Sequence, residues 1–385
     1  MIKLCRRVNA LSHRGHHTTC GITKCSNGLR RRIQMSRGSY ILAYDLGTTG
    51  NKATLFDPDG QIVASAYHGY ETTYPQPGWS EQHPEDWWES IVASTRELLQ
   101  SSGIHPSDII AIGLSGHMMG CLPVDGDGEP LRAALIHSDT RSMLQCERIQ
   151  SLIGADRFFE ITGQILDPHY TLPKILWLKD NEPHVYERTR FFLQCKDYVR
   201  FKLTDELGIT DFSDASLSGA YDLHTCQWSD ELLTALEVSP KLLPEVHPSS
   251  AVIGMVTKEA ADATGLVAGT PVVAGAGDGS CATFGAGVTR AGQAYNYLGG
   301  TSWIAALTDG LVLDMQQRLF TMGHVEFARF AIIGTVQCAG SSYQWLADEI
   351  CWFERESARE RDASQFDLMN ELARSAPVGS HKLFF

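Results

Sequence analysis

The chain has 385 residues, of which 43% are hydrophobic and 20% charged, and its formal net charge is −13 at pH 7. This length exceeds one ordinary core and predicts two domains. No apolar stretch approaches the roughly 18–20 residues that span a bilayer, which argues against a membrane protein. Ten cysteines are scattered without a C-x-x-C pair. This usage favours reduced thiols in a cytoplasmic protein over a disulfide framework or a zinc site.

The charge is distributed unevenly along the chain. Residues 1–38 contain nine Lys/Arg and no Asp or Glu, so the remainder carries a formal net charge of −22. An acidic body argues against nucleic acid as a partner. We interpret residues 1–38 as a basic extension without a fold. It resembles a transit peptide in being Arg-rich and acid-poor, but an over-extended start site, with translation beginning at Met35, is the favoured alternative.

The predicted elements begin with three strands at 40–45, 51–57 and 61–67, joined by a Gly/Thr turn and a D-P-D-G turn. Such short links predict an antiparallel meander. Helical spacing follows over 84–102, with Pro84 near the start and Gly103 at the end. Residues 109–114 form a continuous apolar run that suits a buried strand. Helices then alternate with short strands to about residue 240. The order β-β-β-α-β-α is that of an actin-like (ribonuclease H-like) half.

Three strand-to-turn segments carry the chemistry: D-L-G-T-T-G-N-K (45–52), V-V-A-G-A-G-D (272–278) and Y-L-G-G-T-S-W (297–303). Backbone N–H groups in such turns can form an anion-binding concavity, and glycine lets the chain approach a phosphate closely. Carboxylates beside a phosphate site usually face Mg²⁺ or an attacking hydroxyl. Together the segments indicate ATP-dependent phosphoryl transfer. Taken singly, each could be an ordinary tight turn, and neither the P-loop nor the G-x-G-x-x-G spacing is present.

Further blocks share a family pattern: G-W-S-E-Q-H-P-E-D-W-W (78–88), S-G-H-M-M-G (115–120), S-D-T-R (138–141), T-L-P-K-I-L-W-L-K-D-N (171–181), K-D-Y-V-R-F-K-L-T (196–204) and T-D-F-S-D-A-S (210–216). With the three turns, these blocks resemble the FGGY carbohydrate kinases, especially their xylulokinase-like branch. The resemblance extends from Tyr40 to the last residue. It implies an α/β fold of two actin-like ATPase domains around a cleft. We expect residues 39–288 to be the sugar-binding domain and residues 289–385 to be part of the ATP-binding domain.

The resemblance also implies roles for individual residues. Asp278 would be the general base that takes the proton of the substrate hydroxyl, and Asp45 would hold Mg²⁺. Phosphate contacts of ATP are expected at Thr48, Thr49, Gly300, Thr301 and Ser302. His117, Met118 and Met119 fall in the family's sugar-binding segment. For Asp278 and Asp45 the structural alternatives are a turn cap and an Asx-turn.

The remaining blocks are more ambiguous. Trp79 and Glu81 fit a sugar contact and a packing role at a helix start equally well. Other residues are expected to be structural: Trp177 in the core, Asp139 and Arg141 as an ion pair, and Asp211 and Asp214 as turn caps.

Two departures from the family pattern affect the substrate. This chain reads H-M-M-G at 117–120 where xylulokinases usually read Q-M-H-G, so Met119 replaces a sugar-facing histidine. A thioether is a weak acceptor, so the pocket should discriminate differently. His137-Ser138-Asp139 stands where W-N-D is common. The resemblance implies a ketose, such as the pentulose xylulose, or a related polyol as the substrate. The two departures favour another ketose or a polyol over D-xylulose.

The chain ends at P-V-G-S-H-K-L-F-F (377–385), before the family's second signature. This predicts an incomplete second domain and leaves an alternative: a catalytically inactive fragment that retains sugar binding. A third possibility is an actin- or Hsp70-like ATPase that works through protein partners. It shares the D-L-G-T-T turn but leaves the blocks at 78–88, 115–120 and 171–181 without a role. The family resemblance also implies a homodimer.

Overall fold

The computed structural model describes residues 38–336 and 338–382. Except for Gly38, the basic extension expected at residues 1–38 lies outside the described residues. The described chain forms two compact units. The first runs to Gln293 and includes Ala306–Ile332, and the second contains Ala294–Ala305 and the residues from Ile333 onward. The domain boundary expected between residues 288 and 289 is close to Ala294, where the second compact unit begins. The division into a sugar-binding and an ATP-binding domain stays a prediction.

The strands are numbered in chain order. They are β1 Tyr40–Leu46, β2 Gly50–Phe56, β3 Ile62–Gly69, β4 Glu81–Gln82, β5 Ile109–Gly116, β6 Leu122–Val124, β7 Ala134–Leu135, β8 Phe191–Leu193, β9 Ile209–Asp211, β10 Tyr221–Asp222, β11 Gln227–Trp228, β12 Glu245–His247, β13 Val252–Met255, β14 Pro271–Val273, β15 Ala276–Gly277, β16 Ala294–Leu298, β17 Ser302–Thr308, β18 Phe320–Gly323 and β19 Phe330–Val336.

The α-helices are numbered in the same way. They are α1 Pro84–Ser102, α2 Met143–Leu152, α3 Ala155–Thr162, α4 Thr171–Asn181, α5 Pro183–Arg188, α6 Cys195–Thr204, α7 Phe212–Ser216, α8 Asp230–Ala235, α9 Lys258–Thr264, α10 Asp278–Gly285, α11 Gly340–Trp345, α12 Trp352–Arg361 and α13 Gln365–Ser375. Short 3₁₀ turns lie at Pro106–Asp108, Pro240–Leu242 and Ser380–Lys382, and a π-helical segment lies at Leu346–Ile350.

The central sheet of the first unit has the order β13–β14–β5–β1–β2–β3, and β15 pairs with β5 beside this path. Strands β1, β2 and β3 form the predicted antiparallel meander. Asp57 stabilises its second turn because its carboxylate accepts the backbone N–H groups of Asp59 and Gln61. Strand β5 returns parallel to β1 after a helix. The predicted succession of an antiparallel meander, a helix and a parallel strand is therefore confirmed, and the short strands β4, β6 and β7 are additions to the predicted order.

Helix α1 packs on the meander because its apolar residues recur at helical spacing. Trp87, Ile91 and Leu98 are buried in the main hydrophobic core together with residues of β1, β2 and β5. Pro84 occupies the first turn, where its missing N–H costs nothing. Gly103 ends the helix in the left-handed conformation, at φ 65°. These bounds match those predicted from the sequence.

A second hydrophobic core lies around α4 and α8 and contains Leu172, Ile175 and Leu178. Trp177 belongs to it and is buried, so its predicted structural role is confirmed. In the second unit, α12 is followed closely by α13, and Tyr343 of α11 contacts Phe366 of α13. In the part of the chain that the structure describes, no helix is long and apolar enough to cross a membrane.

Candidate active site

Three neighbouring parallel strands end at the same edge of the central sheet, and each carries a polar residue within its last two positions or directly after it. Asp45 of β1 pairs in register with Ser115 of β5. Ser115 in turn pairs with Ala276 of β15, so that Asp278 begins α10 directly after this strand. The Ser115 hydroxyl donates to Asp45 Oδ1 at 2.9 Å. Ligands of open α/β sheets bind at the carboxyl ends of the strands, which makes this edge the candidate site.

The turn after β1 holds Thr48 and Thr49 beside Asp45. The Tyr67 hydroxyl donates to the Thr49 carbonyl oxygen at 3.0 Å, and the Gln82 side-chain amide donates to the Thr48 carbonyl oxygen at 2.7 Å. Strand β3 approaches so closely that a Cβ on Gly50 would lie 2.5 Å from the Tyr67 hydroxyl oxygen. Glycine is therefore required there, and the turn is fixed while Thr49 remains exposed.

Asp278 presents its carboxyl group to solvent from the first turn of α10. Its Oδ1 accepts the Gly279 backbone N–H at 2.7 Å. The protein surrounds this group on enough sides that desolvation raises the pKa of Asp278 to about 7, and the negative charge of Asp45 adds to the rise. A carboxyl group that titrates near neutrality is suited to accepting a proton.

The segment after β5 sends its side chains in different directions. His117 is only 2% exposed, and its ring contacts Trp87 and His137 at centroid distances of 5.6 and 5.9 Å. Burial, with His137 and Lys174 nearby, lowers the pKa of His117 to about 3, so the ring is neutral. Neither ring nitrogen has a hydrogen-bond partner among the described residues. The sugar contact expected of His117 stays a prediction.

Met118 points the other way and packs under the start of α10. A Cβ on Gly277 would lie 2.5 Å from Met118 Sδ, so a larger residue before Asp278 would displace the Met118 side chain. Met119 follows with φ 61°, a conformation that is rare for a long side chain. The buried Lys174 ammonium donates to the Met119 carbonyl oxygen at 2.9 Å. It also donates to the carbonyl oxygens of Ile136 and His169, at 2.7 and 2.6 Å.

Trp79 and Glu81 belong to an ionic and aromatic cluster. The Arg141 guanidinium lies 3.7 Å from the Trp79 ring centroid and binds both Glu81 Oε1 and Asp139 Oδ2 at 2.7 Å. Arg132 also pairs with Glu81. The predicted ion pair of Asp139 and Arg141 is confirmed. The Glu81 carboxylate is held by two arginines. The sugar contact expected of Glu81 and Trp79 stays a prediction.

Gly300, Thr301 and Ser302 lie in the second unit, in the turn between β16 and β17. The Gly300 carbonyl oxygen accepts the backbone N–H groups of Ala339 and Ser341 at 2.8 and 3.2 Å. The Ser302 hydroxyl donates to the Tyr297 carbonyl oxygen at 2.8 Å, and Thr301 is exposed. The loop is thus well fixed within its own unit.

Sequence reasoning missed the buried charge cluster that lies behind the sheet edge. Lys196 Nζ lies 2.7 Å from Asp197, 3.0 Å from Asp211 and 2.9 Å from Asp214, and all four side chains are fully buried. Asp211 caps α7 as predicted, by accepting the N–H groups of Ser213 and Asp214. The prediction for Asp214 was wrong, because its carboxyl group faces Lys196 rather than a helix end. Burial raises the pKa of Asp214 well above its usual value.

The sheet, with two carboxylates and a Gly-Thr-Thr turn where its parallel strands end, is the arrangement expected of an actin-like phosphotransferase. The model of the FGGY family of carbohydrate kinases, N-terminal domain, matches residues 40–285. The chain belongs to this family.

Individual relatives agree with this assignment. The chain is 30% identical to a xylulose kinase of Bacillus subtilis (strain 168) over 346 residues, covering 90% of this chain and 67% of the relative. It is 31% identical to a glycerol kinase of Trichormus variabilis over 345 residues, covering 87% and 68%. The solved xylulose kinase of Rhodospirillum rubrum has a TM-score of 0.81 at 28% identity, with 88% of this chain and 68% of that chain covered. The chain therefore spans about two thirds of the length of these relatives.

Proposed function

We propose that this chain transfers the γ-phosphoryl group of ATP to a primary hydroxyl of a ketose or polyol. The observation that carries the proposal is the meeting of Asp45, Ser115 and Asp278 at the ends of three adjacent parallel strands. Phosphoryl transfer depends on positioning and charge neutralisation more than on covalent catalysis. A rigid sheet edge with two exposed carboxylates meets both requirements.

Asp278 is the proposed general base. Its carboxylate takes the proton of the substrate hydroxyl as the oxygen attacks phosphorus, and the leaving oxygen stays on ADP. A base whose pKa is near the working pH combines a useful fraction of carboxylate with proton affinity. The rise to about 7 therefore supports the role. The hydrogen bond from Gly279 fixes the carboxyl group while leaving it open to solvent.

Asp45 is the proposed partner of Mg²⁺. Carboxylate oxygen is a ligand that Mg²⁺ prefers, and Mg²⁺ commonly uses only one or two carboxylates together with phosphate oxygens and water. The bound ion would neutralise charge on the phosphates. We assign phosphate contacts to Thr48 and Thr49, and to the loop 300–302.

The sugar site is proposed around Met118 and Met119, because Met118 reaches the start of α10. His117, Trp79 and Glu81 remain further candidates. The relatives are named xylulose kinase and glycerol kinase, so a pentulose such as xylulose and a small polyol such as glycerol are the substrates to compare first. The thioether of Met119 cannot replace the hydrogen bonds of an imidazole. The site should therefore favour a sugar without a hydroxyl at the position that faces Met119.

The test is ADP release with Mg-ATP against a panel of pentuloses, hexuloses and polyols. Asp278→Asn keeps the shape of the side chain but removes the base, and Asp262→Asn, on the exposed face of α9, is the matched control for loss of one negative charge. We expect one preferred sugar, a loss of turnover of about 10²–10⁴-fold in Asp278→Asn, and no loss in Asp262→Asn.

Two outcomes would contradict the proposal. Turnover that survives in Asp278→Asn would remove the base from its role. A sugar that raises the melting temperature without any turnover would favour a sugar-binding protein without kinase activity.

A further inference from the structure

The Ser213 hydroxyl connects the buried charge cluster to the candidate active site. Ser213 lies in α7 and is fully buried. Its Oγ donates its one hydrogen to Asp211 Oδ2 at 2.7 Å. The same oxygen accepts the backbone N–H of Gly277 at 2.9 Å. A hydroxyl can donate once and still accept, so both hydrogen bonds exist together.

The acceptor of that hydroxyl hydrogen is itself immobilised. Asp211 Oδ2 also accepts the Ser249 hydroxyl at 2.7 Å and the Ser213 backbone N–H at 2.9 Å. Its Oδ1 lies 3.0 Å from Lys196 Nζ. All of these groups are buried. A shift of Asp211 would leave a buried charge unpaired, which costs several kcal/mol, so the Ser213 hydroxyl is held in one position.

Gly277 is confined from the other side as well. It is the last residue of β15, and Asp278 follows as the first residue of α10. Met118 packs so close that it would have to move for a Cβ to fit on Gly277. Gly277 is therefore held both by the hydrogen bond from its N–H to Ser213 and by its contact with Met118. Its position sets where the Asp278 carboxyl group points.

We propose that Ser213 is a positioning residue that places Asp278 through the Gly277 N–H. The proposal rests on the proposed role of Asp278 as the base. Small displacements of a reacting group are costly, since an error of about 1 Å can reduce the rate about a hundredfold. Loss of the hydrogen bond should therefore affect the chemical step and not the affinity for sugar.

Ser249 provides the matched control. Ser213→Ala and Ser249→Ala each remove one buried hydroxyl that donates to Asp211 Oδ2. Only Ser213 also accepts the Gly277 N–H. The backbone hydrogen bond from Gly275 N–H to the Ser249 carbonyl oxygen survives either substitution. A purely structural role predicts the same effect for both variants.

Two measurements on the 385-residue chain test the proposal. The first is hydrogen exchange of the Gly277 amide, together with the amide chemical shift of Asp278. The second is kcat and KM with Mg-ATP and the preferred sugar. In Ser213→Ala we expect Gly277 exchange at least about tenfold faster and kcat at least about tenfold lower with KM for the sugar unchanged. In Ser249→Ala both should stay within about twofold of the wild-type protein.

Equal changes in the two variants would overturn the proposal, as would faster Gly277 exchange without a fall in kcat. If the unsubstituted chain shows no turnover, the proposed function fails. Hydrogen exchange of the Gly277 amide and the amide chemical shift of Asp278 then test the positioning role of Ser213 without turnover. An Asp278 amide chemical shift that does not change in Ser213→Ala would overturn that role. If Ser213→Ala does not fold, Ser213→Cys keeps the side-chain shape with a thiol that hydrogen-bonds weakly, and the same results apply.

Discussion

Lys196→Met would test whether the buried charge cluster stabilises the first unit. The Lys196 ammonium contacts Asp197, Asp211 and Asp214 at 2.7–3.0 Å, and all of these side chains are excluded from solvent. Methionine has a similar length but no charge. Its introduction removes the cation that faces Asp211 and Asp214, while Asp197 keeps the Arg200 guanidinium at 3.0 Å. Removing one partner of a buried ion pair costs about 3–5 kcal/mol.

This loss is large compared with the total stability of a typical domain, which is about 5–15 kcal/mol. Urea denaturation followed by tryptophan fluorescence measures it directly. With a slope of about 2 kcal/mol/M, the midpoint should fall by about 1.5–2.5 M. The control is Lys258→Met, since Lys258 pairs with Asp262 on the surface, where the side chains are 77% and 68% exposed. It should change stability by at most about 0.5 kcal/mol. A Lys196→Met protein within about 1 kcal/mol of the wild type would refute the reasoning.

Three further substitutions have expected outcomes. Asp214→Asn should be tolerated at pH 7, because burial raises the pKa of Asp214 well above its usual value. The stability that the Asp214 proton contributes to the wild type is complete below the pKa of the unfolded state and is lost as pH rises through the raised pKa of the folded state. The free energy of unfolding of the wild type should therefore fall relative to that of Asp214→Asn above about pH 4. A difference between the two free energies, measured by urea denaturation, that stays constant across pH would contradict this. Lys174→Met leaves the buried carbonyl oxygens of Met119 and His169 without the ammonium that they accept, while Ile136 keeps the Asp139 backbone N–H. The substitution should cost about 2 kcal/mol or more, and an unchanged melting temperature would contradict this. Met119→His should fold normally, since histidine tolerates positive φ better than most residues. Its binding preference among sugars, measured by calorimetry, should shift toward pentuloses. An unaltered preference would remove Met119 from the sugar site.

Local pattern is sufficient for the elements that carry the site. The apolar run before Asp45, the turn that follows it and the helix at 84–102 each depend on neighbouring residues. The structure has the predicted helix bounds, and it extends the first strand by one residue to Leu46. The resemblance to the family added the actin-like fold that no local pattern contains. The contact of Ser115 with Asp45 joins residues 70 positions apart. It depends on the parallel register of β1 and β5, which tertiary packing determines.

The buried polar groups were the least predictable part. Asp214 stands in a short polar run and looks like a turn cap, yet α7 directs it into the core against Lys196. Nothing near Lys196 in sequence identifies Asp211 and Asp214 as its partners, and composition favours lysine on the surface. Ser213 was missed for the same reason, because its role depends on Gly277, which lies 64 positions away.

The central claim is that Asp278 and Asp45 serve transfer of phosphate to a sugar hydroxyl rather than to water. ³¹P NMR of a reaction with Mg-ATP and the preferred ketose or polyol tests it most directly, with Asp278→Asn in parallel. We expect a phosphate monoester, coupled to the protons of a primary carbon, that grows as ATP disappears and does not form in Asp278→Asn. Release of inorganic phosphate alone, at a rate independent of the sugar, would contradict this role of the two carboxylates and indicate an ATPase.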